Sequence, residues 1–315
     1  MSSASCVPHM PSLSSSSSFS ADAPAPKGYV GRFAPSPTGR LHRGSLAAAL
    51  ASRLDAHAHG GRWLVRIEDI DPPRDVPGAG EDILKTLGRL GMPSDGPVLW
   101  QHDRLDAYRS AFEALQEKGL VYGCACSRKE ARARALELGL PENCYPGTCR
   151  SGTHGRPIRA WRFRVASGIV RFHDRWCGDY AQDVEHEAGD FIIKRADGLW
   201  AYQLAVVTDD AYEGVTDIVR GEDLLDNTPR QILLCRALGF PELRYMHIPL
   251  VLNGEGEKLS KQRGAAPIDD DNLLGELERA FVHLGFPKLG ADSIAAFHRS
   301  ALPLWQARFC SPAYS

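Results

Sequence analysis

No stretch of this 315-residue chain approaches the roughly 18 consecutive apolar residues of a membrane span, so a helical integral membrane protein is excluded. Excess charge is lacking too. The 37 Lys and Arg against 39 Asp and Glu leave a formal net charge of −2. A polyanionic partner would have to be met by local basic patches rather than by a global field. Cysteine is sparse, eight residues in all, too few at this length for a disulfide scaffold. Arginine is missing from residues 1–28, which are rich in Ser, Ala and Pro. An organellar targeting peptide is Arg-rich, so this segment reads instead as a disordered extension. What is present is ordinary for a soluble domain: 43% hydrophobic, 24% charged, and long enough for one large domain or two smaller ones.

The first patterned stretch is a strand-like run at residues 29–34. A turn follows that contains Pro35, Pro37, Gly39, His42 and Gly44, and a helix starts near Ser45. Such a handover leaves backbone N–H groups free at the helix N-terminus, a ready site for a phosphate. Leu46, Leu50 and Leu54, four apart, give the helix one apolar face, and Gly60-Gly61 stops it. Residues 62–67 (Arg-Trp-Leu-Val-Arg-Ile) have the apolar content of a buried strand. This β-α-β unit predicts a parallel sheet with a nucleotide crevice at the carboxyl ends of its strands. Glu68, Asp69 and Asp71 fall just past the second strand, where ligands bind. Asp71, beside Pro72, reads as a solvated turn; Glu68 is the functional candidate.

Helices are expected at residues 81–90 and 105–118. Between 120 and 190 the β-α rhythm is lost, and four cysteines (Cys124, Cys126, Cys144, Cys149) crowd together with metal-like spacing. A charged helix at 128–138 and an alternating strand at 159–165 lie in the same segment, which reads as an inserted subdomain. Cys6, Cys177, Cys235 and Cys310 show no motif spacing. The rhythm returns at Trp200: a helix at 202–210, a strand at 216–220, a helix at 228–238 with Thr228 before Pro229 at its start, and a strand at 244–251. A loop with glycines and Lys258 and Lys261 follows. The rest is helical in pattern and too short for a second full domain. The expected division is 1–28 extension, 29–119 and 196–262 two halves of a catalytic domain, 120–195 insert, and 263–315 C-terminal region.

Pro35-Ser36-Pro37-Thr38-Gly39 with Leu41-His42 and Gly44, and Lys258-Leu259-Ser260-Lys261-Gln262 far downstream, resemble the two signature loops of class I aminoacyl-tRNA synthetases. The run from Arg32 to Gly39, with Arg66-Ile67-Glu68-Asp69, resembles the glutamyl branch. A glutamyl synthetase carries a long anticodon-binding domain after the lysine loop. The short remainder here, with the cysteine pattern, is similar to the glutamyl-queuosine tRNA(Asp) synthetases. The resemblance spans roughly residues 29–300.

The resemblance implies an α/β fold, a Rossmann-like class I synthetase catalytic core with an inserted zinc-bearing subdomain and a short helical C-terminal region. It implies that ATP and L-glutamate form glutamyl-adenylate, and that the glutamyl group passes to queuosine in the anticodon of tRNA(Asp). His42, Gly44, Lys258 and Lys261 are implied as catalytic, with His42, Gly44 and Lys261 on ATP. Arg32, Phe33, Ala34, Pro35, Ser36, Glu68, Tyr202 and Arg220 are implied as the glutamate pocket, Glu68 facing the ammonium group. Cys124, Cys126, Tyr145 and Cys149 are implied as ligands of one structural Zn²⁺, with Cys144 or His154 as alternatives to Tyr145; Mg²⁺ would accompany ATP. The expected state is a cytoplasmic monomer with no membrane partner. Arg150, Arg156, Arg159, Arg162 and Arg164 are candidates to meet RNA phosphates. One position departs from the family pattern: Arg43 follows His42, where an apolar or aromatic residue is usual. Two other readings are a truncated glutamyl-tRNA synthetase charging tRNA(Glu) and a non-catalytic RNA-binding relative.

Overall fold

The computed structural model describes residues 28–251 and 267–310. The extension at 1–27 and the Lys258 and Lys261 loop lie outside the described residues. The strands are β1 (Val30–Phe33), β2 (Arg62–Ile67), β3 (Leu99–Trp100), β4 (Val121–Cys124), β5 (Ala160–Phe163), β6 (Ile169–Asp174), β7 (Gly178–Asp183), β8 (Ile192–Lys194), β9 (Asp217–Gly221) and β10 (Arg244–Ile248). The helices are α1 (Arg43–Ala58), α2 (Ala79–Arg89), α3 (Leu105–Glu117), α4 (Arg128–Glu137), α5 (Val184–Glu187), α6 (Tyr202–Glu213), α7 (Thr228–Leu238), α8 (Leu273–His283) and α9 (Ile294–Phe309).

Seven strands form the main sheet in the order β3-β2-β1-β9-β10-β6-β7. All neighbours are parallel except the antiparallel β6–β7 hairpin. Chain order runs outward from β1 to β3 on one side and from β9 to β10 on the other, with the β6–β7 hairpin beyond, so the sheet has its switch point between β1 and β9. Ligands bind at such a point, outside the carboxyl ends of the strands. Three further strands form a separate antiparallel sheet, β4-β5-β8.

The parallel core expected from the first β-α-β unit is present. Leu46, Leu50 and Leu54 of α1 are all at most 1% exposed. Each contributes about 1.5–3 kcal/mol by leaving water. They share one apolar core with β1, β2, α8 and α9, including Phe281, Phe297 and Trp305. The C-terminal helices are therefore part of the catalytic core. Buried Asp55 of α1 fixes them further, accepting from Trp305 Nε1 at 3.0 Å and pairing with Arg175 and the Tyr29 hydroxyl.

One expectation divides in two. The segment 120–195 does not form a single separate unit. Strands β4, β5 and β8 form the small sheet, whereas β6 and β7 extend the main sheet beside β10. The sequence masks this because β7 (Gly-Asp-Tyr-Ala-Gln-Asp) is polar and Ile169 at the start of β6 is exposed. An edge hairpin wetted on one side carries too little apolar signal to read as sheet. Among the described residues, no helix is long and apolar enough to cross a membrane.

Candidate active site

A cleft of about 430 Å³ opens at the carboxyl ends of β1, β9 and β10. Its walls include Arg32 to Ser36 at the end of β1 and just past it, Val219 to Gly221 at the end of β9, Ile248 to Val251 at the end of β10 and just past it, and Tyr202 at the first position of α6. His42, Gly44 and Ser45 at the N-terminus of α1 also line it. The turn between them uses Gly39 at φ 130°, a conformation that L side chains rarely adopt. His42 caps α1: its Nδ1 accepts from the Ser45 N–H at 3.3 Å, and its Nε2 lies 2.9 Å from Ser45 Oγ. The anion site read from the turn is thus built as a helix N-terminus facing a cleft.

Arg43 anchors this cap. Its guanidinium pairs with Glu276 of α8 at 3.0 and 3.3 Å. Glu276 also accepts from Arg279 at 2.7 Å and from the Asp269 N–H at 3.3 Å. Burial pushes the Glu276 carboxyl up, but Arg279 and Arg43 outweigh it and hold it below its usual value. Ile268 N–H bonds Leu41 O at 3.0 Å, and His42 bridges Pro267. Arg43 therefore binds the His42 turn to the C-terminal helices, and its polar character follows from the buried glutamate it meets.

Two arginines line the cleft and differ in their partners. Arg32 donates to Asp210 at 3.1 and 3.4 Å, so its charge is already matched. Arg220 is 5% exposed and, among the described residues, donates to uncharged groups. Its Nε bonds His247 Nε2 at 3.1 Å, Nη1 the Tyr202 hydroxyl at 3.4 Å, and Nη2 Thr228 Oγ1 at 2.8 Å. Among the described residues no carboxylate forms an ion pair with it. A guanidinium has five N–H donors; three are engaged, which leaves one on each terminal nitrogen. That is the fork that grips a carboxylate bidentately.

Glu68 is not among the residues that line the cleft. Its N–H bonds Pro35 O at 3.0 Å, and Arg66 holds its carboxyl at 3.3 and 3.4 Å. Arg66 also reaches Asp210 at 2.9 Å and Glu213 at 2.6 Å. Burial raises the Glu68 carboxyl to about 7; Arg66 and Arg32 oppose this and Asp210 adds to it. Asp210 goes the other way: burial is overcome by Arg32 and Arg66, which hold it below the usual range. The buried group thus contains one firm carboxylate and one that titrates near neutrality. Asp210 and Arg66 were not singled out from the sequence. Arg66 inside an apolar strand and Asp209, Asp210 and Glu213 on an otherwise apolar helix were the signal, since buried charges come in partnered sets.

In the insert, Cys124, Cys126 and Cys149 place their sulfurs within 4.8 Å of one another. The Tyr145 hydroxyl is 3.2 Å from Cys124 Sγ and 3.6 Å from Cys126 Sγ. Cys144 turns away and bonds Glu185 O at 3.5 Å. His154 sits in an exposed turn at φ 52°. Gly189 packs against the Tyr145 backbone so closely that a Cβ would lie 2.0 Å from its carbonyl oxygen. The four groups Cys124, Cys126, Cys149 and Tyr145 form a compact thiol-rich set that fits a tetrahedral cation.

The arginine stretch is mostly spoken for. Arg150 is held by Asp190 and Glu185, Arg156 by Glu130, and Arg164 by Arg150 O. Arg162 donates to Asp190 O and lies 3.6 Å above the Tyr145 ring. Only Arg159 of the five has no side-chain partner among the described residues. Four of the five are thus tied into the insert, whereas Arg159 is exposed.

The catalytic-domain model of class I tRNA synthetases (E and Q) matches residues 29–286. A glutamyl-Q tRNA(Asp) synthetase of Burkholderia cenocepacia is 54% identical over 290 residues, covering 90% of this chain and 97% of that protein. One from Dechloromonas aromatica is 55% identical over 275 residues, 85% of this chain and 90% of that protein. The chain belongs to the glutamyl-Q tRNA(Asp) synthetase family. Among solved structures, a glutamate tRNA ligase from Elizabethkingia meningosepticum superposes with a TM-score of 0.65 at 29% identity. That match covers 76% of this chain and 53% of the ligase, so the synthetase described here spans about half of the longer enzyme. As an E and Q synthetase, the chain is a ligase with a class I catalytic fold. Its cleft sits at the topological switch point of that fold.

Proposed function

We propose that this synthetase activates L-glutamate with ATP and passes the glutamyl group to queuosine in the anticodon of tRNA(Asp). Every amino acid has an α-carboxylate, so selection of glutamate needs a second cation for the side chain. Arg220 is that cation. The observation that carries the reading is its burial at the cleft wall with only neutral partners, whereas Arg32 is matched by Asp210.

ATP phosphates lie against the α1 N-terminus, beside His42 and Gly44, and Mg²⁺ accompanies them. Lys258 and Lys261, the other two residues implied as catalytic, lie outside the described residues. An α-carboxylate oxygen of glutamate attacks the α-phosphorus and the bond to pyrophosphate breaks. The reaction is governed by holding two anions together against their repulsion. A cyclopentenediol hydroxyl of queuosine then attacks the acyl carbon, loses its proton, and AMP departs. Glu68, behind the cleft wall at Pro35, acts in its ionised form on the substrate ammonium through its charge rather than by lining the pocket. Arg32, Phe33, Ala34, Pro35, Ser36 and Tyr202 shape the pocket. Cys124, Cys126, Cys149 and Tyr145 would hold one Zn²⁺, which cross-links the insert; the chemistry above needs no Lewis acid there.

Arg220→Ala tests the pocket. Loss of a buried bidentate partner costs about 2–5 kcal/mol, which corresponds to about 30- to 5,000-fold in glutamate-dependent pyrophosphate exchange. ATP binding, followed by equilibrium dialysis, stays as in the native protein. Unchanged exchange in this variant would overturn the assignment.

A further inference from the structure

We infer that Asp174 and His247 are positioning residues for glutamate selection: they fix the Arg220 guanidinium and keep its charge available. The inference rests on the reading of Arg220 given above. His247 Nε2 faces Arg220 Nε at 3.1 Å and His247 Nδ1 faces Asp174 Oδ2 at 2.6 Å. All three side chains are buried, His247 and Asp174 at 0% exposure.

Arg220 Nε–H can only donate, so His247 Nε2 must accept. The ring proton is therefore on Nδ1 and is donated to Asp174. One tautomer of a neutral imidazole satisfies both contacts. Burial lowers the His247 basicity, and nearby Arg220 lowers it further against the pull of Asp174. The Asp174 backbone setting is equally fixed: Oδ1 accepts from the N–H groups of Trp176, Cys177 and His247 at 2.9 to 3.0 Å. Thr228 Oγ1 lies 3.1 Å from His247 Nε2 and closes the group.

A carboxylate in direct contact with Arg220 would compete with the substrate. Here the carboxylate stands one imidazole away. It holds the ring, the ring holds the guanidinium, and no carboxylate among the described residues forms an ion pair with the guanidinium at the cleft. Asp174 is supplied by β6, within the segment that the sequence assigns to the insert. The hairpin β6–β7 thereby reaches the amino-acid pocket from the far side of β10.

Asp174→Asn isolates this arrangement. The amide oxygen can still accept the three backbone N–H groups, but its NH₂ faces His247 Nδ1. The ring must then move its proton to Nε2, and two donors meet at Arg220 Nε. A charge-assisted contact of this kind is worth about 10- to 100-fold. The expected result is a rise of that size in the KM for glutamate, with the KM for ATP unchanged. The preference for glutamate over glutamine in pyrophosphate exchange falls by the same factor. ¹⁵N NMR of the imidazole shows Nδ1–H in the native protein and Nε2–H in the variant.

Native KM and selectivity in a folded Asp174→Asn protein would overturn the inference, as would equal losses for ATP and glutamate. Should the variant not fold, the native tautomer decides: Nδ1–H supports the inference and Nε2–H refutes it. Arg220→Ala separates the two levels. If it activates glutamate normally, the pocket reading fails; if it does not and Asp174→Asn is native-like, only the positioning role fails.

Discussion

Glu68→Gln is the most informative single change, because the buried carboxyl it removes has two separable effects. The first is on binding. With its carboxyl at about 7, Glu68 is mostly neutral at pH 6 and mostly ionised at pH 8. If the ionised form attracts the substrate ammonium from behind the cleft wall, kcat/KM for glutamate rises about tenfold between pH 6 and 8, with a midpoint near 7. In Glu68→Gln that midpoint disappears, and the value stays below the native plateau by about 30-fold or more, the lower end of a lost buried pair. The second effect is on stability. A shift from 4.5 to about 7 means that the folded state binds the proton more tightly than the unfolded chain. Stability from this group is fully present below pH 4.5 and is lost as pH rises to about 7. The loss is about 3 kcal/mol and levels off above that. Denaturant titrations at pH 4.5, 6, 7 and 8 measure it, and the Glu68→Gln slope is flatter over the same interval. Pyrophosphate exchange with the native midpoint and unfolding with the native slope in Glu68→Gln would refute both parts of the reasoning.

Two further outcomes follow from the clusters away from the cleft. Cys126→Ser removes one of three converging thiols, so bound zinc measured by mass spectrometry of the native protein falls from one equivalent towards none. Cys144→Ser retains it, since that thiol bonds Glu185 O instead; the reverse pattern would contradict the ligand set. Arg43→Met removes one partner of buried Glu276 but leaves Arg279 at 2.7 Å. The cost is therefore about 1–2 kcal/mol, below the 3–5 kcal/mol of a fully orphaned buried charge, and a loss above 4 kcal/mol by denaturant titration would show that Arg279 does not compensate.

The sequence revealed those parts of the molecule whose signal is local. The turn from β1 to α1, the leucine stripe of α1 and the Thr228-Pro229 start of α7 are each written within a few residues; α7 begins one residue earlier than Thr228 as an N-cap implies, with Asn227 in the cap position and Thr228 already helical. The cysteine spacing likewise brings Cys124, Cys126 and Cys149 together. Long-range pairing was not legible. Arg43 looked anomalous because its partner, Glu276, is 233 residues away. Arg32 and Arg220 looked alike as cations, yet only the folded chain shows that Asp210 matches one and leaves the other. Arg150 read as part of a surface patch because its acidic partners, Asp190 and Glu185, come 35 to 40 residues later in the chain. A polar edge hairpin, β6–β7, hid the strand that carries Asp174.

Transfer of radiolabelled glutamate tests the central claim most directly. The protein is incubated with labelled glutamate, ATP and tRNA(Asp), with or without queuosine, and with tRNA(Glu) in parallel. Label is then mapped by nuclease digestion. The account predicts label only on queuosine-containing tRNA(Asp), released with the anticodon nucleotide. Label at the acceptor end of tRNA(Glu), or none on any tRNA, would contradict it.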